Sequence, residues 1–332
     1  MMETDIPKLN NEFDVLIKMQ RVGVCGSDVH YYTQGKIGSQ VVEYPFTVGH
    51  EGAGVVEKVG SKVIKVKKGD RIAIEPAMPC FECDQCNAGR HNTCRRLKFL
   101  GCPGQAAGCL SEYIVMPESS CLPLPENMSF DEAALSEPLS IGLYAVRQSF
   151  MIQDSTIGIL GYGPIGMSVM LSARALKISN IVVTDKIDAR LKIAGLSGAM
   201  LLADVTKENV VEKVKEKIPQ ELDIVFECCG QQDAMDNAIN IVKPGGKIMI
   251  VGIPEFDTWN LTVDKLRRKE ITLINIRRQN HCTEDAISMI SNKIIDVSKM
   301  VTHRFNFKAT PEAFELVSGY KDGVMKAMID FN

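Results

Sequence analysis

A glycine-rich turn between an apolar segment and a helix-like segment restricts the folds open to this chain more than any other feature. The apolar TIGIL precedes GYGPIG at 161–166, and MSVMLSARALK follows with a helical pattern. Strand-like and helix-like segments then alternate as far as ITLINIRRQ. Such alternation predicts an α/β fold with a doubly wound parallel sheet.

The glycine spacing in this turn is G-x-G-x-x-G. Gly161 permits the tight turn, Gly163 lets the backbone approach a pyrophosphate, and Gly166 lets the helix pack on the strand. Pro164 and Ile165 belong to the first helical turn, where free N–H groups favour phosphate. The pattern predicts a dinucleotide site, although a strand–helix turn without a ligand is the alternative.

Three further residues are candidates for cofactor binding. Asp185 ends the next strand-like segment, where a carboxylate accepts ribose hydroxyls and repels a 2′-phosphate, which favours NAD over NADP. The alternative is that Asp185 is a surface acid at a strand end. Arg190 is a candidate for binding that phosphate, so NADP stays open, and Gly252 closes the strand-like GGKIMIVGI.

Four of the 11 cysteines lie within one short polar segment. Cys80, Cys83, Cys86 and Cys94 follow the spacing C-x2-C-x2-C-x7-C in a stretch without apolar periodicity. Four thiolates hold Zn²⁺ tetrahedrally and leave no open position, so we expect a structural zinc in the loop 79–95. An iron–sulfur cluster and four unconnected free thiols are the alternatives.

The segments before residue 75 have a different sequence pattern. Short strand-like runs separated by glycines predict a small β-rich, barrel-like domain. We expect VGVCGSDVHYY to be a turn and EGAGVVEKVGSKV to form two strands around Gly60–Ser61. Further on, Ser129 with Glu132 three residues later predicts a capping box at the start of a helix.

Composition excludes several classes of function. A length of 332 residues fits two domains, and a formal net charge of -3 is not that of a nucleic-acid-binding protein. No apolar run approaches the ~20 residues of a membrane span. The polar start MMETDIPKLNNE has no signal-peptide pattern, so we expect a cytoplasmic protein.

A resemblance links these features. CGSDVHYY, VGHEGAGVVEKVG, KKGDRIAIEP, the cysteine cluster, LSEPLSIGLYAV, GYGPIGM and VTHRF occur in this order. They resemble the zinc-containing medium-chain alcohol dehydrogenase superfamily, in its polyol (sorbitol/xylitol) branch. The resemblance implies a GroES-like catalytic domain at 1–135, an NAD-binding Rossmann domain at 136–278 and a return to the catalytic domain at 279–332.

The resemblance also implies a second, catalytic zinc. Cys25, His50 and Glu51 match its ligands in the family, and Glu137 matches a nearby acid that binds the metal or its water. Taken singly, these residues could equally be a small buried thiol, a core histidine and surface acids, and the residues alone do not connect them.

Three more roles are implied by the same matches. Ser27 matches the hydroxyl that passes the substrate proton outward, Tyr31 an aromatic of the substrate pocket, and Arg278 an arginine that reaches the polyol or water. A core tyrosine and a solvated arginine are the alternatives for the last two.

The implied activity is hydride transfer between NAD and a secondary hydroxyl of a small-molecule polyol, giving a ketose. L-threonine, L-idonate, a sugar-alcohol phosphate and butanediol are alternative substrates, and a non-catalytic zinc- and dinucleotide-binding redox sensor is a second alternative. The family implies a homodimer or homotetramer. The chain departs from the family by a shorter segment before FDVLIKM, by Gln279, and by FLGCPGQAAGC with Cys102 and Cys109. The last two changes are expected to touch the substrate pocket.

Overall fold

The computed structural model describes residues 2–331, which divide into two compact units. The first contains the chain up to Glu137 and from Thr283 onward, and the second contains Pro138–Cys282. The boundaries expected from sequence, at 135 and 278, lie two and four residues earlier. The chain leaves the first unit inside a helix, so the change of sequence pattern near residue 130 marks where that helix begins.

The secondary-structure elements are numbered here in chain order. The strands are β1 (Asp14–Gly23), β2 (Lys36–Ile37), β3 (Gln40–Val41), β4 (Glu51–Val59), β5 (Arg71–Ile74), β6 (Ala77–Met78), β7 (Lys98–Phe99), β8 (Tyr113–Pro117), β9 (Cys121–Pro123), β10 (Ile157–Leu160), β11 (Ile181–Asp185), β12 (Leu201–Asp204), β13 (Leu222–Glu227), β14 (Val242–Ile250), β15 (Thr272–Asn275), β16 (Val301–Asn306) and β17 (Lys326–Asp330). The α-helices are α1 (Gly26–Gln34), α2 (Asp84–Asn87), α3 (Phe130–Ser149), α4 (Pro164–Ala175), α5 (Asp188–Leu196), α6 (Val210–Lys217), α7 (Gln232–Ile241), α8 (Val263–Arg268), α9 (Thr283–Ser291) and α10 (Thr310–Ser318).

The first unit is built on a seven-stranded sheet. Its order is β16-β17-β1-β4-β5-β9, and β8 also pairs with β1. Strand β1 pairs antiparallel with β17, β4 and β8, which makes it central to the unit. Apolar side chains such as Val15, Ile17 and Ile72 are completely buried in its core. The sheet therefore fits the β-rich domain expected from sequence.

Two local predictions for this unit were wrong. The segment after Val24 forms the helix α1 where a turn was expected. Its first turn is capped by Asp28, whose carboxylate accepts the backbone N–H of Cys25 at 3.2 Å. Strand β4 is a single strand ending at Val59, because a turn and irregular backbone follow instead of a second strand.

The predicted capping box at the start of α3 is confirmed. Ser129 donates its backbone N–H to Glu132 Oε2 at 2.8 Å, and the N–H of Glu132 is donated to Ser129 Oγ at 3.2 Å. Each side chain thus satisfies one of the backbone donors that a helix N-terminus leaves free.

The second unit is a doubly wound α/β domain, as the sequence predicts. Its six strands are all parallel, in the order β12-β11-β10-β13-β14-β15. This is the order 3-2-1-4-5-6 of dinucleotide-binding sheets, in which the ligand crevice opens between β10 and β13. The central strand β10 is buried along its whole length. Among residues 2–331, no helix combines the length and the apolar character that crossing a membrane requires.

Candidate active site and metal centres

The four clustered cysteines converge on one point of the first unit. Their sulfur atoms all lie within 4.8 Å of one another. Cys94 Sγ is 3.4 Å from Cys80 Sγ and 3.9 Å from Cys83 Sγ, and Cys86 Sγ is 4.0 Å from Cys80 Sγ. None of these distances is that of a disulfide.

The geometry of this thiol cluster fits zinc. Sulfur atoms about 2.3 Å from a tetrahedral zinc lie about 3.8 Å from one another. The pKa shifts within the cluster differ: a hydrogen bond from the Glu82 backbone, with others from Cys94 and Cys83, lowers the pKa of Cys80 to about 6, whereas burial and the neighbouring thiols raise the pKa of Cys86 to about 12. The distances therefore carry the assignment. All four positions of a tetrahedral ion would be filled by protein, which describes a structural site.

A second group forms where β1 ends and β4 begins. Cys25 lies two residues after the end of β1 and caps α1, and Glu51 is the first residue of β4 and pairs with Gly23 across the sheet. With His50 they form a trio whose ligand atoms lie within 4.8 Å of one another. The antiparallel pairing of β1 with β4 therefore brings together residues that are 25 positions apart in the sequence.

One buried carboxylate connects two members of this trio. Asp28 Oδ2 accepts the N–H of Cys25 at 3.2 Å, and Asp28 Oδ1 accepts the N–H of Gly49 at 3.0 Å. The same Oδ1 lies 3.4 Å from His50 Nδ1. Burial alone would lower the pKa of His50, but the charges of Asp28 and Cys25 raise it well above its ordinary value. Because Asp28 engages Nδ1, the Nε2 atom is the one available to a metal.

Glu51 is the most deeply enclosed member of the trio. Its Oε1 accepts a hydrogen bond from Lys326 Nζ at 2.7 Å, and both side chains expose 1% of their surface. Its Oε2 is buried and has no hydrogen-bond partner among residues 2–331. Oε2 lies over Gly23, where any Cβ would clash with it.

The trio therefore fits a zinc ion. A buried carboxylate oxygen without a partner is costly unless a cation or donor meets it. Thiolate, imidazole and carboxylate together are a zinc donor set, and three protein ligands leave one position open, as in catalytic sites.

Glu137 is buried but is not part of the trio. Burial, and then the charges of Glu51 and Glu75, raise its pKa to about 7 against the opposing effect of His50 and Lys326. Glu137 is therefore a nearby acid whose charge interacts with residues of the trio. The structure thus brings Cys25, His50 and Glu51 together and leaves Glu137 beside them.

Ser27 and Tyr31 share one face of α1, because they are one helical turn apart. The hydroxyl of half-buried Ser27 donates to Cys25 Sγ at 3.4 Å. Tyr31 is 3% exposed, and its hydroxyl donates to Gln40 Oε1 at 3.0 Å. Helix α1 therefore runs from the trio to the phenol of Tyr31.

The three residues that mark departures from the family, Cys102, Cys109 and Gln279, have different surroundings. Cys102 Sγ lies 3.7 Å from the Tyr31 hydroxyl, whereas Cys109 is completely buried in the core of the sheet. In the second unit, Gln279 Oε1 accepts the backbone N–H of Cys282 at 2.8 Å and closes a local loop.

The glycine turn of the second unit has the shape of a phosphate cradle. Gly161 has φ +92°, and a Cβ there would lie 2.7 Å from Cys229 Cβ across the sheet's crevice. Gly166 packs so closely on the Gly161 carbonyl that no side chain fits. A Cβ on Gly163 would meet only Arg190, at 3.5 Å, so the turn is open at the N-terminus of α4, which begins with Pro164 and Ile165. The residues present fit a pyrophosphate.

Asp185 stands at the end of β11, beside this turn. Its Oδ2 accepts the N–H of Tyr162 at 2.6 Å and its Oδ1 accepts the N–H of Ile187 at 2.8 Å. Each oxygen keeps a further lone pair for a ribose hydroxyl. Gly252 donates its N–H to the Glu227 carbonyl at 2.9 Å and packs against Gly230, so it shapes the loops after β13 and β14.

Arg278 belongs to the second unit and follows β15. It adopts a left-handed backbone conformation, with φ +54°, and His281 does the same with φ +55°. Such a conformation is strained for residues other than glycine. The side chain of Arg278 is half-buried.

Sequence reasoning missed two residues that shape the trio. Asp28 had a usable signal, because an acid three residues after a helix start is a cap. Lys326 had a weaker one, a single lysine inside the apolar strand VMKAMIDF. Its function depends on Glu51, 275 residues away, which no local pattern reveals.

Comparisons with known proteins agree with this architecture. The chain matches the alcohol dehydrogenase GroES-like domain over 11–126 and the zinc-binding dehydrogenase domain over 164–292. It is 36% identical to sorbitol dehydrogenase of Bacillus subtilis, over 98% of this chain and 92% of that protein. It is 35% identical to L-idonate 5-dehydrogenase of Vitis vinifera, over 91% of this chain and 84% of that one.

A solved structure gives the same result for the fold. An oxidoreductase of unknown specificity from Escherichia coli superposes with a TM-score of 0.92 and 34% identity, over 99% of this chain and 94% of that one. The chain therefore belongs to the zinc-binding dehydrogenases, in the polyol dehydrogenase branch of the medium-chain alcohol dehydrogenase superfamily.

Proposed function

We propose that this enzyme transfers a hydride between NAD and a secondary hydroxyl of a polyol of the sorbitol, xylitol or L-iditol type, giving a ketose. The observation that carries the proposal is the trio of Cys25, His50 and Glu51, with Glu51 Oε2 buried and without a partner. The relatives named above include a sorbitol and an L-idonate dehydrogenase, whose names describe oxidations of polyhydroxylated substrates.

Cys25, His50 and Glu51 would hold the catalytic zinc, with Glu137 as a nearby acid, and Cys80, Cys83, Cys86 and Cys94 would hold the structural zinc. When bound, the catalytic ion supplies Lewis acidity toward the substrate oxygen, and NAD accepts the hydride.

The protein's own charges suit a Lewis acid at the trio. A thiolate at Cys25 and the carboxylate of Glu51 contribute two negative charges to the ligand set, and Lys326 offsets one of them at 2.7 Å. The ligand set therefore only partly neutralises a divalent cation. The charge that remains favours loss of the proton from a substrate hydroxyl.

Ser27 is proposed to move that proton. Its hydroxyl already lies 3.4 Å from Cys25 Sγ, and its side chain is half-buried, so it touches both the trio and solvent. Tyr31, on the same face of α1, then forms one wall of the substrate pocket. Arg278 is proposed as a group that binds the polyol or an ordered water.

NAD would bind at the glycine turn of the second unit. Gly161, Gly163 and Gly166 shape the turn, and the N-terminus of α4 at Pro164 and Ile165 faces the pyrophosphate. Asp185 is proposed to accept the ribose hydroxyls and to disfavour the 2′-phosphate of NADP. Further contacts are proposed for Arg190, beside Gly163, and for Gly252, in the loop after β14.

We also propose a cytoplasmic homodimer or homotetramer. Strand β15 pairs on one side with β14 and forms one edge of the parallel sheet. An edge strand exposes backbone donors and acceptors that a second copy of the sheet can pair with.

The test is a substrate panel with zinc-loaded protein. NADH formation is followed with sorbitol, xylitol, L-iditol, L-threonine, L-idonate, a hexitol phosphate and butane-2,3-diol, and with the variant His50→Ala as a control that lacks a zinc ligand. We expect a polyol to give the highest kcat/KM of the panel, and we expect the variant to have no activity. NAD binding without turnover of any of these alcohols would identify a non-catalytic binding protein and overturn the proposal.

A further inference from the structure

The phenol of Tyr31 is the meeting point of two segments that are distant in the sequence. Gln40 Oε1 accepts its hydroxyl hydrogen at 3.0 Å, and Cys102 Sγ lies 3.7 Å from the same oxygen. Tyr31 and Cys102 are buried, at 3% and 6% exposure, and Gln40 is half-buried. Phe46 packs edge-on against the ring, with centroids 6.4 Å apart.

Backbone structure fixes Gln40 in this place. Helix α1 ends at Gly35, which takes the left-handed conformation with φ +69°. The two-stranded hairpin of β2 and β3 follows at once, and Gln40 pairs with Ile37 in it. The carboxamide is thus presented from a short hairpin that starts where the helix carrying Tyr31 ends.

The hydrogen bond also fixes which end of the carboxamide is free. Tyr31 donates to Oε1, and the amide nitrogen of Gln40 has no hydrogen-bond partner among residues 2–331. The carboxamide of Gln40 therefore offers a hydrogen-bond donor, which the oxygen of an alcohol hydroxyl can accept from.

The position along α1 determines which hydroxyl could be bound. Tyr31 is one helical turn, about 5.4 Å, beyond Ser27, whose hydroxyl contacts Cys25 Sγ. A hydroxyl two or more carbons beyond the reacting carbon of a polyol spans such a distance, whereas a vicinal hydroxyl does not.

Gly101, which precedes Cys102, packs so closely on Gly49, which precedes His50, that a Cβ on Gly101 would lie 2.8 Å from the Gly49 carbonyl oxygen. The segment that places Cys102 against the phenol therefore lies beside the backbone of the trio.

We propose that Gln40, with Tyr31 and Cys102, forms a specificity wall that binds a hydroxyl distal to the reacting carbon and so selects polyols over shorter diols. This inference rests on the proposed function and refines its substrate class. The thiol of Cys102 fills the space beside the phenol, and the Gln40 amide makes the selective hydrogen bond.

The test compares a substrate that has hydroxyls two or more carbons beyond the reacting carbon with a substrate that has none there. Xylitol carries them and butane-2,3-diol does not. In Gln40→Leu, the ratio of kcat/KM for xylitol to that for butane-2,3-diol is expected to fall about 10-fold, with most of the loss in the KM for xylitol. Tyr31→Phe removes the donor that orients the amide and is expected to shift the ratio in the same direction. Gln34→Leu, a change of the same kind at an exposed position of α1, is the matched control.

A binding measurement separates recognition from turnover. Calorimetric titration of xylitol into zinc-loaded enzyme with NADH is expected to give a Kd about 10-fold higher for Gln40→Leu than for Gln34→Leu. Equal losses on both substrates, or an unchanged ratio and Kd in folded variants, would overturn the specificity wall while leaving the proposed function in place. If the unmodified enzyme oxidised none of the alcohols in the substrate panel, that result would instead contradict the proposed function, and the specificity wall would be contradicted as well.

Discussion

Lys326 and Glu51 form an ion pair that water does not reach. Their Nζ and Oε1 atoms are 2.7 Å apart, and each side chain exposes 1% of its surface. Lys326 also donates to the carbonyl of Val24 at 3.1 Å, so its ammonium group connects the end of β1 with the start of β4. Burial lowers the pKa of Lys326, but the charges of Glu51 and Cys25 outweigh it and raise that pKa overall.

The first prediction follows from this pair. Lys326→Met leaves the carboxylate of Glu51 buried without its partner, and breaking a buried pair in this way costs about 3–5 kcal/mol. We expect a loss of this size in the free energy of unfolding, measured with urea. Lys68→Met removes an exposed partner of Glu57 and is expected to cost less than about 1 kcal/mol. Similar losses in the two variants would show that the buried pair has no special role.

The second prediction concerns the thiol cluster. Cys83→Ser removes one of four converging sulfur atoms, so the zinc content of purified protein is expected to fall from two ions per chain to one. The melting temperature is expected to fall with it, because the loop has little core of its own. Cys229→Ser changes an exposed thiol outside both metal groups and is expected to keep two ions. Retention of two ions in Cys83→Ser would contradict the assignment.

The third prediction concerns the choice of cofactor. Asp185→Asn keeps the shape of the side chain, removes the charge that is proposed to disfavour a 2′-phosphate, and replaces one of the two oxygens that accept backbone N–H groups. We expect the Kd for NAD to rise about 10-fold, equivalent to about 1.4 kcal/mol, and the preference for NAD over NADP to shrink. Calorimetry with both cofactors measures this.

The exposed Asp188, paired with Lys192 at 2.9 Å, supplies the control variant Asp188→Asn. An unchanged NAD-to-NADP ratio in Asp185→Asn would place the discrimination elsewhere, with Arg190 as the next residue to test.

The fourth prediction concerns pH and a buried acid in the second unit. Glu227 is completely buried; its Oε1 accepts N–H groups of Cys229 and Gly230, and its Oε2 has no hydrogen-bond partner within residues 2–331. Burial raises its pKa above the ordinary value of 4.5, against the lowering effect of these hydrogen bonds. A carboxyl whose pKa is raised by folding binds its proton more tightly in the folded state, so its contribution to stability falls as pH rises above 4.5.

Glu227→Gln removes this titration. We therefore expect the free energy of unfolding of the variant, relative to the unmodified protein, to increase as the pH is raised from 5 toward 8. Urea unfolding of both proteins at each pH gives the difference directly, and the shared titration of all other groups cancels. A difference that is constant across this range would show that Glu227 does not titrate differently in the two states.

The parallel sheet could be predicted from the sequence because each of its strand–helix units is encoded locally. The apolar run before Gly161, the glycine spacing and the helical pattern after Gly166 all lie within about 20 residues. The cysteine cluster was equally local, and its four ligands converge as the spacing suggested.

Helix α1 was missed because its stability comes from distant parts of the chain. Tyr32 donates its hydroxyl to Glu315 at 2.9 Å and packs edge-on against Phe314, both on α10. The trio of Cys25, His50 and Glu51 was found only through resemblance to a family, since the pairing of β1 with β4 that assembles it leaves no periodic trace. Lys326 was missed because its partner Glu51 is 275 residues away, and Gln40 was missed because its contact with Tyr31 depends on the turn between α1 and the hairpin of β2 and β3.

The carboxylate of Asp28 has a consequence for how the trio meets an ion. It holds the backbone beside Cys25 and beside His50 through bonds that involve only protein atoms. The trio is consequently positioned by the fold itself, and binding of a metal ion there would require little reorganisation. Ions of similar size and ligand preference, such as cobalt(II), should then bind at the site without a change in the protein conformation. Which metal the protein contains would therefore depend on metal availability as well as on the ligands.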